Sequence, residues 1–153
     1  MELLVVGWLL GLLSAAFGAL VLHRLTVGAN ERALRRALVA EIRENMRRLG
    51  APNPNRVPNA PVVRTAWDGA RTLPVDDATF DAIARGYNLG EDVNYNVALI
   101  TARATRGGLV RSAADELAAF ERAQDEILGK AGDACEAFAT ALQLMGATAE
   151  GAA

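Results

Sequence analysis

Apolar residues are distributed along this chain in two different ways. Residues 3–22 form an uninterrupted run without a charged side chain, whereas later apolar residues recur at helical spacings of three and four. One such stripe consists of Leu34, Leu38, Ile42, Met46 and Leu49. The few β-branched pairs lie in proline-rich or helical surroundings, so the pattern predicts no strand. We therefore expect an all-α fold, with a single N-terminal transmembrane helix followed by a small antiparallel helical bundle.

The run Leu3–Leu22 has the length of a membrane span. Its twenty residues would extend ~30 Å as a helix, which matches the hydrocarbon thickness of a bilayer. A cleaved signal peptide is the alternative, but only Met1 and Glu2 precede the run, so a basic leading region is missing. Arginines follow the run and none precedes it, which predicts an N-terminus outside and a cytoplasmic C-terminal domain.

Small residues in this run predict a packing face for another helix. The face consists of Gly7, Gly11, Ser14, Ala15, Gly18 and Ala19. Small side chains at four-residue spacing let two helices approach closely in lipid. Their general frequency in membrane helices is the alternative explanation. The expected partners are membrane lipids together with other integral membrane subunits or a second copy of the chain.

Charge is divided unevenly along the sequence. Residues 1–64 carry nine arginines and four glutamates, a balance of +5, and residues 65–153 have a balance of −7 within a total of −2. The arginines expected to contact lipid head groups or a partner are Arg24, Arg32, Arg36, Arg43 and Arg47. Pairing with the acidic second half is the alternative. Interspersed glutamates and the lack of interleaved aromatic residues argue against nucleic acid.

The predicted organisation has five parts. They are an anchor (1–25), a juxtamembrane amphipathic helix (26–49), a proline-rich connector with a short helical turn (50–75), the helical bundle (76–146) and a flexible tail (147–153). Gly50 is the expected end of the second part, and Asp76 or Asp77 the expected N-cap of the bundle's first helix. Whether the first two parts form one helix stays open, as does the continuity of a helix over 76–105.

The predicted bundle core comes from the helical stripes. Its members are Leu38, Ile42, Phe80, Ile83, Leu117, Phe120, Ile127 and Phe138. Thr65 and Ser112 are expected as helix caps, and Cys135 as a core residue. Asn45, Asn94 and Asn96 are expected to make amide contacts between helices that set the register. Tyr87 and Tyr95 are expected to bury their rings and expose their hydroxyls.

The sequence lacks the spacings that catalytic chemistry needs. It contains one histidine and one cysteine, no H-E-x-x-H, C-x-x-C or G-x-S-x-G motif, and no complete phosphate-binding loop. Its adjacent acidic pairs diverge on a helix and are typical of caps and solvated faces. We therefore expect no catalytic, cofactor-binding or metal-binding residue, and not an enzyme.

Three motifs carry a resemblance to other proteins. Residues 41–49 read EIRENMRRL, Thr65-Ala66-Trp67 follows a linker, and a helix with Tyr87 and Asn94 comes next. This arrangement resembles a loose group of uncharacterised bacterial single-pass membrane proteins with an E-I-x-x-N-x-x-x-L helix and a T-A-W turn. The resemblance implies no known activity. The excess of arginine over lysine is also typical of a GC-rich bacterial genome.

Together these patterns predict a protein of the bacterial cytoplasmic (inner) membrane. The first hypothesis is a non-catalytic accessory or scaffold subunit of a larger membrane complex, of the respiratory or photosynthetic type. The alternative is a self-associating, membrane-anchored adaptor or signalling module that recruits a cytoplasmic partner.

Overall fold

The described residues of the computed structural model form four helices. They are α1 (Glu2–Leu49), α2 (Thr65–Ala70), α3 (Asp77–Thr105) and α4 (Ala113–Leu144). The structure describes the backbone of residues 2–51, 57–58, 60–105 and 113–147, and the side chains of 15–51, 57–58, 60–102 and 117–147. No strand occurs in these ranges, so the expected all-α bundle is confirmed there.

Helix α1 joins the predicted anchor and juxtamembrane segment into one helix. Its 48 residues correspond to ~72 Å of helix. Gly28 does not interrupt it, and Gly50 ends it with a φ of 91°. The amide of Gly50 donates to Arg47 O at 3.2 Å and that of Ala51 to Met46 O at 3.0 Å, which is a Schellman cap. The predicted end of this helix is confirmed.

The predicted membrane anchor falls largely where side chains are not described. Residues 3–14 of the run lie outside the described side chains, and residues 15–22 are exposed on α1. Among the residues that the structure describes, no helix is both long enough and apolar enough to cross a membrane. The anchor therefore stays a prediction.

Helix α3 begins at the expected aspartate. The Asp76 carboxylate accepts hydrogen bonds from Thr79 Oγ1 at 2.7 Å and Thr79 N at 2.9 Å, and these bonds lower its pKa. The helix then continues to Thr105 without a break at Gly90. An added Cβ at Gly90 would lie 3.0 Å from the Val62 side chain. The lack of a side chain at Gly90 therefore lets the connector pack closely against α3.

The core lies where the C-terminal part of α1 meets the α3–α4 hairpin. Helices α3 and α4 are antiparallel, since Tyr87 contacts Phe138 and Asp92 contacts Lys130. Helix α1 runs antiparallel to α4, since Arg35 contacts Met145 and Met46 contacts Cys135. Five predicted core residues are at most 1% exposed: Leu38, Ile42, Ile83, Ile127 and Phe138. Buried alanines of α4 fill much of the remaining space: Ala131, Ala134, Ala137 and Ala141.

Three predicted core residues are exposed instead. Leu117 is 58% exposed, Phe120 48% and Phe80 40%, although the Phe80 ring contacts Trp67 at a centroid distance of 5.2 Å. Helix α1 ends at Leu49, shortly after Met46 meets Cys135, so the first part of α4 extends beyond it. The stripe on α4 is continuous, but only its second half has α1 beside it. The predicted cap Ser112 and the tail from residue 148 lie outside the described residues.

Candidate functional site

An arginine-lined groove runs beside α1, next to the C-terminal end of α4. It encloses about 720 Å³. The residues that line it are Ala29, Arg32, Arg35, Arg36, Val39, Ala40, Arg43, Met145 and Ala147. These described lining residues include no carboxylate and no aromatic ring. The groove therefore has basic walls with small apolar side chains between them, and we call it the arginine groove.

The α4 end of this groove is held by Arg35. Its Nη2 atom donates to Met145 O at 2.8 Å. Helix α4 ends there in a second Schellman cap, with Gly146 at a φ of 68° and Ala147 N donating to Leu142 O at 2.8 Å. Because the C-terminal carbonyls of a helix carry partial negative charge, the guanidinium of Arg35 suits this position. Arg35 thus fixes the wall opposite α1.

The other arginines lie along α1. Arg32 Nε donates to Gly28 O at 3.0 Å, and Arg36 Nε donates to Arg32 O at 3.3 Å, so both side chains are directed along the helix. Both residues are exposed, whereas Arg43 at the far end is half-buried. Their positions differ by four and seven residues, which places all three on one helical face.

Three of the five predicted contact arginines meet in this groove. They are Arg32, Arg36 and Arg43, whereas Arg24 is exposed on an earlier part of α1 and does not line the groove. Arg47 pairs instead with Glu44 at 2.7 Å. Hydrogen bonds from Arg47 and Arg48 lower the pKa of Glu44 to about 2.

Sequence reasoning missed Arg35, although its spacing from Arg32 and Arg36 carries a usable signal. Residues three and four apart are neighbours on a helix, so Arg32 and Arg35 lie on adjoining positions of the same face. The position of the α4 end, which gives Arg35 its acceptor, is not contained in the local pattern.

The structure contains a single chain, so it does not test whether the predicted packing face contacts another helix. Gly7, Gly11 and Ser14 lie outside the described side chains. Ala15, Gly18 and Ala19 are exposed, and an added Cβ at Gly18 would meet nothing within 4 Å. The face therefore stays a prediction about contacts between chains.

A second cluster of polar residues lies inside the bundle around Glu41. Its carboxylate accepts hydrogen bonds from Ala66 N at 2.6 Å, from Trp67 N at 3.1 Å and from Tyr87 Oη at 2.6 Å. Helix α2 has no side-chain cap of its own, because its N-cap residue is Arg64. The expectation that Thr65 caps it is wrong, and Glu41 supplies the acceptor from α1.

Two asparagines hold the connector between the helices. Asn45 of α1 accepts from Val63 N at 2.8 Å and donates to Val63 O. Asn94 of α3 accepts from Val62 N at 2.8 Å and donates to Val62 O at 3.3 Å. Each side-chain amide therefore bonds to both the N–H and the C=O of one connector residue, which is the pattern of a hydrogen-bonded residue pair in antiparallel strands. The expected burial of the Asn45 amide is confirmed. The expected partner was another helix, and this is wrong, because both asparagines bind the connector.

Two weakly acidic groups of the bundle, the Tyr87 hydroxyl and the Cys135 thiol, have raised pKa values. Burial and the bond to Glu41 raise the pKa of Tyr87, whose hydroxyl is buried and not exposed as expected. Burial also raises the pKa of the Cys135 thiol to about 11. Neither group is therefore an activated nucleophile near neutral pH. In the described part of the chain, no three His, Cys, Asp or Glu residues are placed to hold a metal ion.

Comparisons with protein-family models, with curated proteins and with solved structures gave no match for this chain. The resemblance to single-pass bacterial proteins thus rests on the sequence motifs alone. The arginine groove is the candidate functional site, and the cluster around Glu41 is the polar centre that positions the connector and α2.

Proposed function

We propose that this chain is a membrane-anchored, non-catalytic accessory or scaffold subunit of a larger complex in the bacterial cytoplasmic membrane. The observation that carries the proposal is the continuity of α1 from the apolar run into the bundle core. A continuous helix holds the bundle at a set distance from whatever its N-terminal part is embedded in. A respiratory or photosynthetic assembly is the type of host that we consider.

The exposed side chains of α1 support an apolar environment for its first half. Phe17 is 69% exposed, Leu20 53% and Leu22 64%, and Leu20 and Leu22 lie on nearly opposite sides of the helix. Large apolar side chains on several sides of a helix are typical of contact with lipid or with other helices. Together with the uncharged run 3–22, they favour insertion into a membrane. The arginines that follow the run favour an N-terminus outside and the bundle in the cytoplasm.

Native mass analysis after gentle detergent extraction tests the proposal. We expect the chain in the membrane fraction, in fixed stoichiometry with larger integral subunits. A homo-oligomer without other subunits would favour the alternative, a self-associating adaptor that recruits a cytoplasmic partner. Recovery of the chain as a monomer outside the membrane fraction would contradict both hypotheses.

The proposed packing face has its own variant pair. Gly11→Ile adds a branched side chain on the small-residue face, which would hold two helices apart and lower the fraction of assembled chain. Leu13→Ile changes a residue on the other side of the helix and leaves this face intact. Equal assembly of both variants would mean that the face contacts lipid.

A further inference from the structure

The dimensions of the arginine groove suit an extended peptide. From Ala29 to Arg43 the groove follows ~21 Å of α1, which is the length of six or seven extended residues. Arg32 and Arg36 lie ~6 Å apart along the helix axis, and alternate residues of an extended chain lie ~6.6 Å apart. Carboxylates at alternate positions of such a peptide therefore match these two arginines in spacing.

The chemistry of the lining matches the same ligand. Guanidinium groups bind carboxylates through paired, charge-assisted hydrogen bonds. Ala29 lies one turn before Arg32, and Val39 and Ala40 lie one turn after Arg36, so they offer small apolar contacts to peptide residues on either side of the two carboxylates. The described lining has no aromatic side chain on which a nucleotide base would stack, so a single-stranded nucleic acid fits less well.

The distance of the groove from the predicted membrane span argues against a lipid head group as its ligand. If Leu22 marks the end of the hydrocarbon layer, Arg36 and Arg43 lie ~21 Å and ~32 Å beyond it along the axis. The polar layer on each side of a bilayer is only ~5–8 Å thick. Lipid phosphates would then reach Arg24 but not the far half of the groove. The exclusion of lipid head groups rests on the proposed anchor, whereas the match in spacing and charge between the arginines and an acidic peptide does not.

We propose that the arginine groove binds an extended acidic segment of a partner protein, with carboxylates at alternate positions facing Arg32 and Arg36. Arg35 stays on Met145 O and keeps the α4 wall in place. The small apolar residues of the groove contact the peptide residues that flank the two carboxylates.

Fluorescence anisotropy with the full chain in nanodiscs of zwitterionic lipid tests this proposal. The probe is a labelled peptide of sequence EAEAEAE, and its glutamine counterpart QAQAQAQ is the control. We expect saturable binding of the first peptide only, weakening as salt rises from about 50 to about 300 mM because the pairs are exposed. The double variant Arg32→Gln/Arg36→Gln should weaken binding about tenfold or more.

A pair of alanine variants controls for net charge. Ala40→Glu places a carboxylate one turn from both Arg36 and Arg43, so it should block the peptide. Ala37→Glu makes the same charge change at an exposed residue that does not line the groove, so it should bind nearly as well as the parent. Circular dichroism of each variant shows whether the helices are retained.

Three results would overturn the proposal. The first is no saturable binding of EAEAEAE to the parent chain. The second is equal weakening by Ala37→Glu and Ala40→Glu in folded proteins, which would indicate attraction by overall charge. The third is loss of the bound peptide when the nanodiscs contain about 30% anionic lipid, since the groove would then bind head groups. A failure of membrane insertion would contradict the proposed function while leaving peptide binding in detergent measurable.

Discussion

The two halves of α1 share one helix but differ in what surrounds them. Every residue from 15 to 27 is exposed. From Leu38 onward the same helix contributes five buried residues to the bundle: Leu38, Ile42, Asn45, Met46 and Leu49. Helical conformation is therefore the same in both halves, and among the side chains described from residue 15 onward burial begins only in the second half.

This difference shows what each sequence pattern means. Apolar residues in the first half point in several directions, so no single neighbouring helix of a bundle would cover them. Those of the second half recur at three and four residues and point to one side, where α4 and α2 lie. Substitutions in the second half should thus change the stability of the bundle, and substitutions in the first half should not.

The largest contrast is expected between two phenylalanines. Phe138 is fully buried and its ring meets Tyr87 edge-on at a centroid distance of 5.1 Å, whereas Phe17 is 69% exposed. Phe138→Ala should lower the free energy of unfolding by ~3–5 kcal/mol, because it removes buried area and leaves a cavity. Phe17→Ala should change it by ~0.5 kcal/mol or less. Urea unfolding followed by Trp67 fluorescence, in a Trp8→Phe background, measures both.

The same urea unfolding tests how far the buried core extends along α4. Phe120→Ala should cost much less than Phe138→Ala, because the Phe120 side chain is 48% exposed. Equal losses for the two variants would mean that α4 is covered along its whole length. A large loss for Phe17→Ala would mean that the first half of α1 packs on the bundle.

Local patterns predicted much of the fold from the sequence. The cap at Asp76, the end at Gly50 and the buried face of α1 each depend on residues within a few positions of one another. The exposure of Leu117 and Phe120 depends on where α1 ends beside α4, which no local pattern contains.

The candidate site was predictable to the same extent. Arg32, Arg36 and Arg43 follow helical spacing, so their common face could be derived from the sequence. The opposite wall, formed by Met145 and Ala147, comes from a segment about a hundred residues later, as the bond from Arg35 to Met145 shows. The partners of Glu41 lie in α2 and α3 and those of Asn45 lie in the connector. Periodicity identified Asn45 as a buried polar residue but not the backbone groups that it binds, and it did not identify Glu41.

Two asparagines of α1 give the next contrast. Asn45 is fully buried and holds both backbone groups of Val63, whereas Asn30 is exposed. Asn45→Ala should lower the free energy of unfolding by ~2–4 kcal/mol, since it leaves a buried donor and acceptor unsatisfied. Asn30→Ala should raise it slightly, because alanine favours a helix more strongly than asparagine does. Thermal melting by circular dichroism measures both, and a tolerated Asn45→Ala would show that water replaces the side chain.

Glycines in α1 and α3 should respond to alanine in opposite directions. An added Cβ at Gly86 would lie 2.5 Å from the buried Phe138 ring, whereas one at Gly28 would meet nothing within 4 Å. Gly86→Ala should therefore cost ~1–3 kcal/mol through overpacking. Gly28→Ala should stabilise α1 by ~0.5–1 kcal/mol through helix propensity. The midpoint of urea unfolding gives both values, and an unaffected Gly86→Ala variant would show that α3 and α4 are free to separate there.

The smallest expected effect is a pH dependence of the free energy of unfolding, caused by Tyr87, which binds Glu41 in the second half of α1. Tyr87 donates to Glu41 and its pKa is raised from 10.0, mainly by burial. Above pH 10 the unfolded chain loses this proton and the folded chain keeps it, so the free energy of unfolding falls as pH rises. The fall should approach ~1.4 kcal/mol per pH unit for this group.

Cys135 and other groups titrate in the same range, so the difference between parent and variant isolates Tyr87. Tyr87→Phe should cost ~1–2 kcal/mol at neutral pH through the lost bond to Glu41, and its disadvantage should shrink as pH rises above 10. Tyr95→Phe, at an exposed position, should follow the parent at every pH. Parallel curves for parent and Tyr87→Phe between pH 9 and pH 11 would place the Tyr87 hydroxyl in contact with water, and α3 would then keep the stacked rings of Trp67 and Tyr87 with α2 but lack a buried hydrogen bond from Tyr87 to Glu41 of α1.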